Sequence, residues 1–237
     1  MSIPVNTDVT LADFEFTALR EAQNYRRALV TAFKKQLHGR VIEIGAGIGQ
    51  MTQEFRRLPD VELLQSVEPD PAFYTEFKKS LPGQPLVEGT IRDVKGDEWN
   101  AIVSINVLEH IGEDEAELAM YAQLLRKRKG TLNLFVPARP EIYAPIDKDF
   151  GHFRRYTKRE LISKLEKAGF EVEHIRYYNI VGYLAWWWKF CVLKNRNFKV
   201  AEVRLYDRVI FPIVNFLEWH ICRPPIGQSL LVIARAK

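Results

Sequence analysis

The stretch VIEIGAGIGQ, residues 41–50, constrains the fold of this chain more than any other. It passes from an apolar strand into three closely spaced glycines and then into a helical pattern. Gly45, Gly47 and Gly49 permit a sharp turn and let a ligand approach the main chain with no Cβ in the way. The dinucleotide fingerprint G-x-G-x-x-G needs its third glycine at position 50, and Gln50 stands there. Glu43, two residues before Gly45, would repel a pyrophosphate but suits a cationic ligand.

Around this loop, strand and helix patterns alternate. A helix is expected over 11–37, with Ala18, Ala22, Tyr25, Leu29 and Phe33 at spacings of three and four. Strands are expected over 40–44, 61–67, 85–87, 101–106 and 131–136, and helices over 50–58, 71–80 and 113–129. Near-continuous apolar strands in that rhythm argue for a parallel sheet covered on both faces. After Pro137 the rhythm breaks. A polar loop over 138–156 precedes a helix over 157–168, a strand over 170–178, a helix-rich apolar segment over 180–221 and a last strand over 229–236. The expected organisation is one domain: an N-terminal helical region (1–38), a core (39–179), an aromatic helical insertion (180–222) and a closing strand (223–237).

Composition narrows the partners. With 237 residues, 47% of them hydrophobic and 27% charged, the chain is neither disordered nor collagen-like. Cys191 and Cys222, the only cysteines, have no disulfide or zinc spacing and suit a reducing compartment, so the expected location is cytoplasmic. No basic region precedes an apolar core at the N-terminus, and no apolar run reaches the roughly 18 residues of a spanning helix. The net charge is +4, and the one tight basic run, 126–129, closes a helix whose dipole it complements. No nucleic-acid partner is expected.

A second acid, Glu68 in SVEPDP, ends the next strand, where a carboxylate can accept both hydroxyls of a ribose. With EIGAGIG, EGTIRDV and INVLEHI, the chain resembles the class I S-adenosylmethionine (SAM)-dependent methyltransferases over about residues 38–175 and the last strand. The resemblance implies a Rossmann-like, doubly wound α/β fold with a seven-stranded, mostly parallel sheet, and SAM as cofactor. It implies Glu43 near the methionine end, with Gly45, Ala46, Gly47, Gly49 and Gln50 passing under the cofactor. Glu68 and Pro69 would lie at the ribose, Thr90 and Ile91 beside the adenine. Asn106, Val107 and Leu108 would form the floor beside the sulfonium. Many members carry an aspartate where this chain has Thr90, which leaves the adenine to backbone and Ile91.

Methyl transfer from a sulfonium is an in-line displacement with a good leaving group, so the protein mainly aligns the nucleophile and manages its proton. Glu109 and His110 follow the fourth strand and resemble the EHI segment of many class I enzymes. In ubiquinone-biosynthesis O-methyltransferases an E-x-x-E-H pattern goes with a divalent ion. Asn106 replaces the first acid here, so Glu109 and His110 are read as catalytic positioning groups and no metal is assigned; simple packing against the cofactor loop is the plainer reading of His110. The second cluster, DKDFGHFRRYT over 147–157, resembles a GHxRRYT string in bacterial class I methyltransferases of glycan and glycolipid pathways. His152 is the expected general base, since an imidazole titrates near the working pH. Arg154 and Arg155 would clamp a phosphate or carboxylate, or else pair with Asp147 or Asp149 to fold the loop. Tyr25, Tyr143, Asp147, Tyr156 and Trp186 complete the expected acceptor-binding set.

The expected function is methyl transfer to oxygen of a small-molecule, sugar or lipid-linked acceptor. The alternatives are N-methylation of a small-molecule or peptide amine, a non-catalytic SAM-binding protein, an NAD-dependent oxidoreductase and a membrane adaptor. The segment 180–221 carries Trp186, Trp187, Trp188, Phe190, Phe198, Phe211, Phe216 and Trp219. Three consecutive tryptophans cannot all face one core, and Lys189, Lys194, Arg196 and Lys199 flank them. Substrate cap, homodimer interface and peripheral membrane contact are its three readings, in that order.

Overall fold

A computed structural model describes residues 19–96, 98–195 and 199–237. The expected helix over 11–18, Arg196 and Phe198 lie outside them. Seven strands form one sheet in the order β3-β2-β1-β4-β5-β7-β6. They are β1 (Gly39–Ile44), β2 (Val61–Glu68), β3 (Leu86–Glu88), β4 (Ala101–Ile105), β5 (Thr131–Pro137), β6 (Phe170–Tyr178) and β7 (Ser229–Ala236). The first five run parallel, while β7 is antiparallel to both neighbours. Such a sheet is Rossmann-like and doubly wound, and the order reverses between β1 and β4, where β1 ends at Ile44 and the glycine loop begins.

The central strands are apolar on both faces, and β5 is buried along its whole length. One core packs Ile42, Ile102, Leu132, Leu134 and Val232 against helices α4 (Asp114–Arg126) and α6 (Lys158–Lys167). On the opposite face Val41, Val103, Phe135 and Leu231 meet α1 (Gln23–Phe33) and the C-terminal helices. Helix α3 (Pro71–Ser80) starts as its sequence dictates. Pro71 occupies the first turn, and the Asp70 side chain accepts the Ala72 N–H at 2.8 Å.

Two expectations are corrected. The helix expected over 50–58 is a single turn, α2 (Thr52–Phe55), and Pro59 bars any continuation through Leu58. The loop expected to lack secondary structure over 138–156 contains a 3₁₀ turn (Pro140–Ile142) and a short helix, α5 (Pro145–Asp149). Each opens on a proline whose fixed φ suits a first helical position.

Between β6 and β7 lies a helical cap. Helix α7 (Ile180–Trp186) continues into a π-helical turn (Trp187–Val192). Helix α8 (Val200–Leu205) passes through a second π turn (Tyr206–Ile210) into α9 (Phe211–His220). The cap is tied down by its own acids. Asp207 accepts the N–H groups of Asn24 (3.0 Å) and Tyr25 (2.9 Å), placing a carboxylate at the N-terminus of α1. Glu218 accepts those of Asn179 (2.9 Å) and Ile180 (2.8 Å) at the start of α7.

Candidate active site

Two cavities lie side by side at the carboxyl edge of the parallel strands. The first, of about 110 Å³, is walled by Glu43, Gly45, Ala46, Gly47 and Gln50, with Asn106 and Tyr25. The second, of about 370 Å³ and mostly apolar, is walled by Glu109, His110, His152, Arg155, Trp186 and Tyr206 among others. Tyr25 and Asn106 belong to both walls. Asn106 is held in left-handed backbone geometry, φ 53°, a strained state for a side chain that persists where surrounding structure imposes it.

In the first cavity, Gly47 is the cradle. A Cβ there would meet no atom of the described residues within 4 Å, and φ is +53°. At Gly45 a Cβ would lie 2.4 Å from Val107 Cγ2, so that glycine and Val107 are in close approach. Gly49 likewise packs on Leu81 and Phe77 and is off the wall. Glu43 is buried and accepts Thr52 Oγ1 (2.6 Å) and Ser66 Oγ (3.1 Å). Burial pushes its carboxyl up to about 7, so a cation in the cavity is the partner that favours its ionised form. Glu68 accepts the Gly47 N–H (2.7 Å) and the Asp70 N–H (2.9 Å), bracing the loop from β2, with exposed Pro69 beside it. An open cradle and a buried acid facing one small cavity fit a sulfonium cofactor.

Thr90, Ile91, Leu108 and Tyr156 are off both cavity walls. Thr90 caps the 3₁₀ turn Ile91–Asp93, and Ile91 is buried in the core. Leu108 is likewise core. Tyr156 is fully buried, its hydroxyl donating to Asp114 Oδ2 (2.9 Å) and to the Leu108 carbonyl (3.2 Å), which removes it from the acceptor wall.

The loop over 138–156 is organised around Asp147, which is fully buried. Its Oδ2 accepts the Ala144 N–H at 2.9 Å. Its Oδ1 accepts Arg155 Nε (2.9 Å) and His152 Nδ1 (3.0 Å). Burial raises the Asp147 carboxyl, but the bond from His152 and the charge of Arg155 outweigh it and hold its pKa below the usual value. An ionised carboxylate only accepts, so His152 Nδ1 carries a proton, and in the neutral ring Nε2 is the acceptor. Arg155 is buried, with its guanidinium 4.5 Å over Trp186, and Trp186 Nε1 donates to the Ile142 carbonyl at 3.2 Å. Of the two expected roles, Arg155 therefore takes the loop-folding one. Arg154 turns away to Asp114 (2.8 Å) and the Gly112 carbonyl (2.7 Å). Asp114, 40 residues upstream, is a partner no local pattern announces. Tyr143 donates from its hydroxyl to the His152 carbonyl at 2.7 Å.

His110 packs edge-on against His152, ring centres 4.7 Å apart. Burial, and then the charge of His152, push it down to about 4. Glu109 is fully buried, both its carboxylate oxygens lack a hydrogen-bond partner among the described residues, and burial pushes it up to about 8. One ligating atom from each of Glu109, His110 and His152 lies within 4.8 Å of the others, a grouping able to hold a metal ion.

A family model described as a methyltransferase domain matches residues 17–175. No curated protein sequence matches the chain. Among solved structures, a chain of the Haloferax volcanii complex between the Trm112 methyltransferase activator and a methyltransferase is 15% identical, with 99% of each chain covered and a TM-score of 0.64. A SAM-dependent methyltransferase of Thermotoga maritima is 17% identical, with 95% of each covered and a TM-score of 0.62. The complex of DhpI with S-adenosylhomocysteine (SAH) is 14% identical, covering 95% of this chain and 91% of that one, at a TM-score of 0.59. These neighbours share the fold, and the family match covers the glycine loop, His110, His152, β1 to β5 and the first six residues of β6. The chain belongs to the methyltransferase domain family, as a class I enzyme that uses S-adenosylmethionine.

Proposed function

We propose that this enzyme methylates a hydroxyl oxygen of a small-molecule, sugar or lipid-linked acceptor held in the second cavity, with His152 taking the proton. The observation that carries this reading is the Nδ1 bond from His152 to buried Asp147, on the wall of an apolar cavity adjoining the glycine loop. Bound SAM supplies a methyl group made electrophilic by its sulfonium. Glu43 faces that positive charge, and Gly47 gives the cofactor access to the main chain. Asp147 fixes the His152 ring and its tautomer, so that Nε2 accepts the hydroxyl proton as the oxygen attacks. The apolar walls exclude competing water. Trp186 and Tyr25 shape the acceptor side.

The test is SAH release against a panel of glycosides and polyprenyl-linked sugars. His152→Ala should lose turnover by about 10²-fold or more while cofactor affinity stays unchanged. Near-normal rates in that variant would exclude the base, and turnover confined to amines would move the reaction to nitrogen.

A second reading keeps the reaction and gives the acceptor oxygen a divalent cation held by Glu109, His110 and His152. It is favoured by Glu109, whose two oxygens are buried without a partner among the described residues. Activity that disappears with a chelator and returns with Mn²⁺ or Zn²⁺ would select it. Activity indifferent to chelation leaves the imidazole alone.

A further inference from the structure

The cap carries apolar side chains that the other described residues leave uncovered. Thirteen of the fifteen large hydrophobic side chains exposed among the described residues lie between Leu184 and Ile221. They form two groups. Trp187, Trp188 (56% exposed), Val192 and Leu193 project from the end of α7. Leu205, Val209, Ile213 (60% exposed) and Phe216 (55%) project from α8–α9 at helical spacing. Exposed apolar groups of this size on a folded chain mark an interaction site.

Charge identifies what meets it. Residues 180–223 contain seven Lys or Arg and three acids, and so carry the whole of the chain's +4. The acids are all engaged: Asp207 and Glu218 are buried on backbone N–H groups, and Glu202 pairs with Lys189. Lys194, Lys199 and Arg223 stay at the surface, as do Arg204 and Arg208, which share Glu21. A second copy stacked on this face would bring like charges together, whereas an anionic surface is complementary. No helix among the described residues is long and apolar enough to cross a membrane, so contact is in the plane of the interface. Tryptophan beside lysine and arginine is the residue pairing of that zone.

We propose that the outer face of α7 and of α8–α9 docks on anionic lipid bilayers, with the apolar side chains entering the headgroup region and the basic rim meeting lipid phosphates. The same elements roof the second cavity through Ala185, Trp186, Phe190, Val203 and Tyr206. Docking therefore places the acceptor entrance at the lipid surface. That last step rests on the O-methylation reading, while the docking itself does not.

Flotation of the full chain with phosphatidylcholine vesicles, with and without phosphatidylglycerol, tests it without any acceptor. Binding should grow with the phosphatidylglycerol fraction and weaken as salt rises. Ile213→Glu with Phe216→Glu should reduce binding by about tenfold or more with the melting temperature held, because both side chains already face solvent. Trp188→Glu, on the other helix, should act in the same direction. Absence of binding to anionic vesicles, or binding indifferent to these substitutions, overturns the proposal. So does a dimer in light scattering that the double substitution dissolves, since the face is then covered by a second copy. His152→Ala should float like the parent, so a failed docking result and a failed base assignment are read separately.

Discussion

Gly45 and Gly47 sit two residues apart in one loop, yet an added Cβ would meet a packed valine at the first and open cavity at the second. Gly45→Ala should therefore cost stability, about 1–3 kcal/mol of overpacking against Val107, read as a lower melting temperature. Gly47→Val adds backbone strain of about 1–2 kcal/mol but mainly fills the cofactor's place, so calorimetric titration with SAH should show affinity lost from a folded protein. Retained affinity would remove the glycine loop from the site. Glu43 adds a pH signature. Burial holds its folded carboxyl near 7, above its unfolded value, so its protonated form favours the folded chain and that contribution falls as pH rises from about 4.5 through 7. The sulfonium favours the ionised form, so SAM should bind more tightly at pH 8 than at pH 6, with proton release below 7. Glu43→Gln should flatten that profile. The loop and its acid were legible in sequence because the glycine spacing itself encodes a local turn. Which glycine serves packing and which serves the ligand depends on Val107 and Leu81, distant partners that the spacing does not contain.

Elements built from local chemistry match their sequence signals closely. Helix α3 begins at its proline with an aspartate cap, and β5, β6 and β7 are continuous apolar or alternating runs. The loop over 138–156 defeats the same reasoning because its organising centre is one buried carboxylate rather than a periodic pattern. Asp147 receives the Ala144 N–H, the Arg155 guanidinium and the His152 ring, and helix α5 is wound around it. Its neighbourhood in sequence announces charge without saying which residues pair. Asp147→Ala leaves Arg155 buried and unpaired, a loss of about 3–5 kcal/mol in a urea melt. Turnover should fall with it as His152 loses its tautomer. Because the folded pKa of Asp147 is depressed, its contribution is complete above the unfolded carboxylate pKa and disappears as pH falls through the folded one. The stability difference between parent and Asp147→Ala should therefore narrow in acid. A difference that holds constant down to low pH would mean the carboxylate's charge is not what organises the loop.

At the scale of the whole molecule, a sheet of fixed order supports a cap attached by buried Phe211, Trp186 and Phe190 and by a few polar ties. The sheet follows from strand–helix alternation. The cap's attachment does not, since Asp207 meets Asn24 and Tyr25 across more than 180 residues of chain. That tie joins α8–α9 to α1, and Tyr25, at its end, walls both cavities. Asp207→Ala removes the carboxylate and leaves two α1 N–H groups without their acceptor, about 1–3 kcal/mol of lost attachment. The sheet does not depend on it, because β7 is held by seven paired residues of β5 and by β6. Hydrogen exchange should accordingly speed up in residues 200–220 and at the start of α1 while β4, β5 and β7 keep their protection. The acceptor KM should rise while SAH affinity, set by the glycine loop, stays near the parent value. Exchange that accelerates evenly across the sheet would show that cap and core open together, and the acceptor cavity would then be as rigid as the strands beneath it.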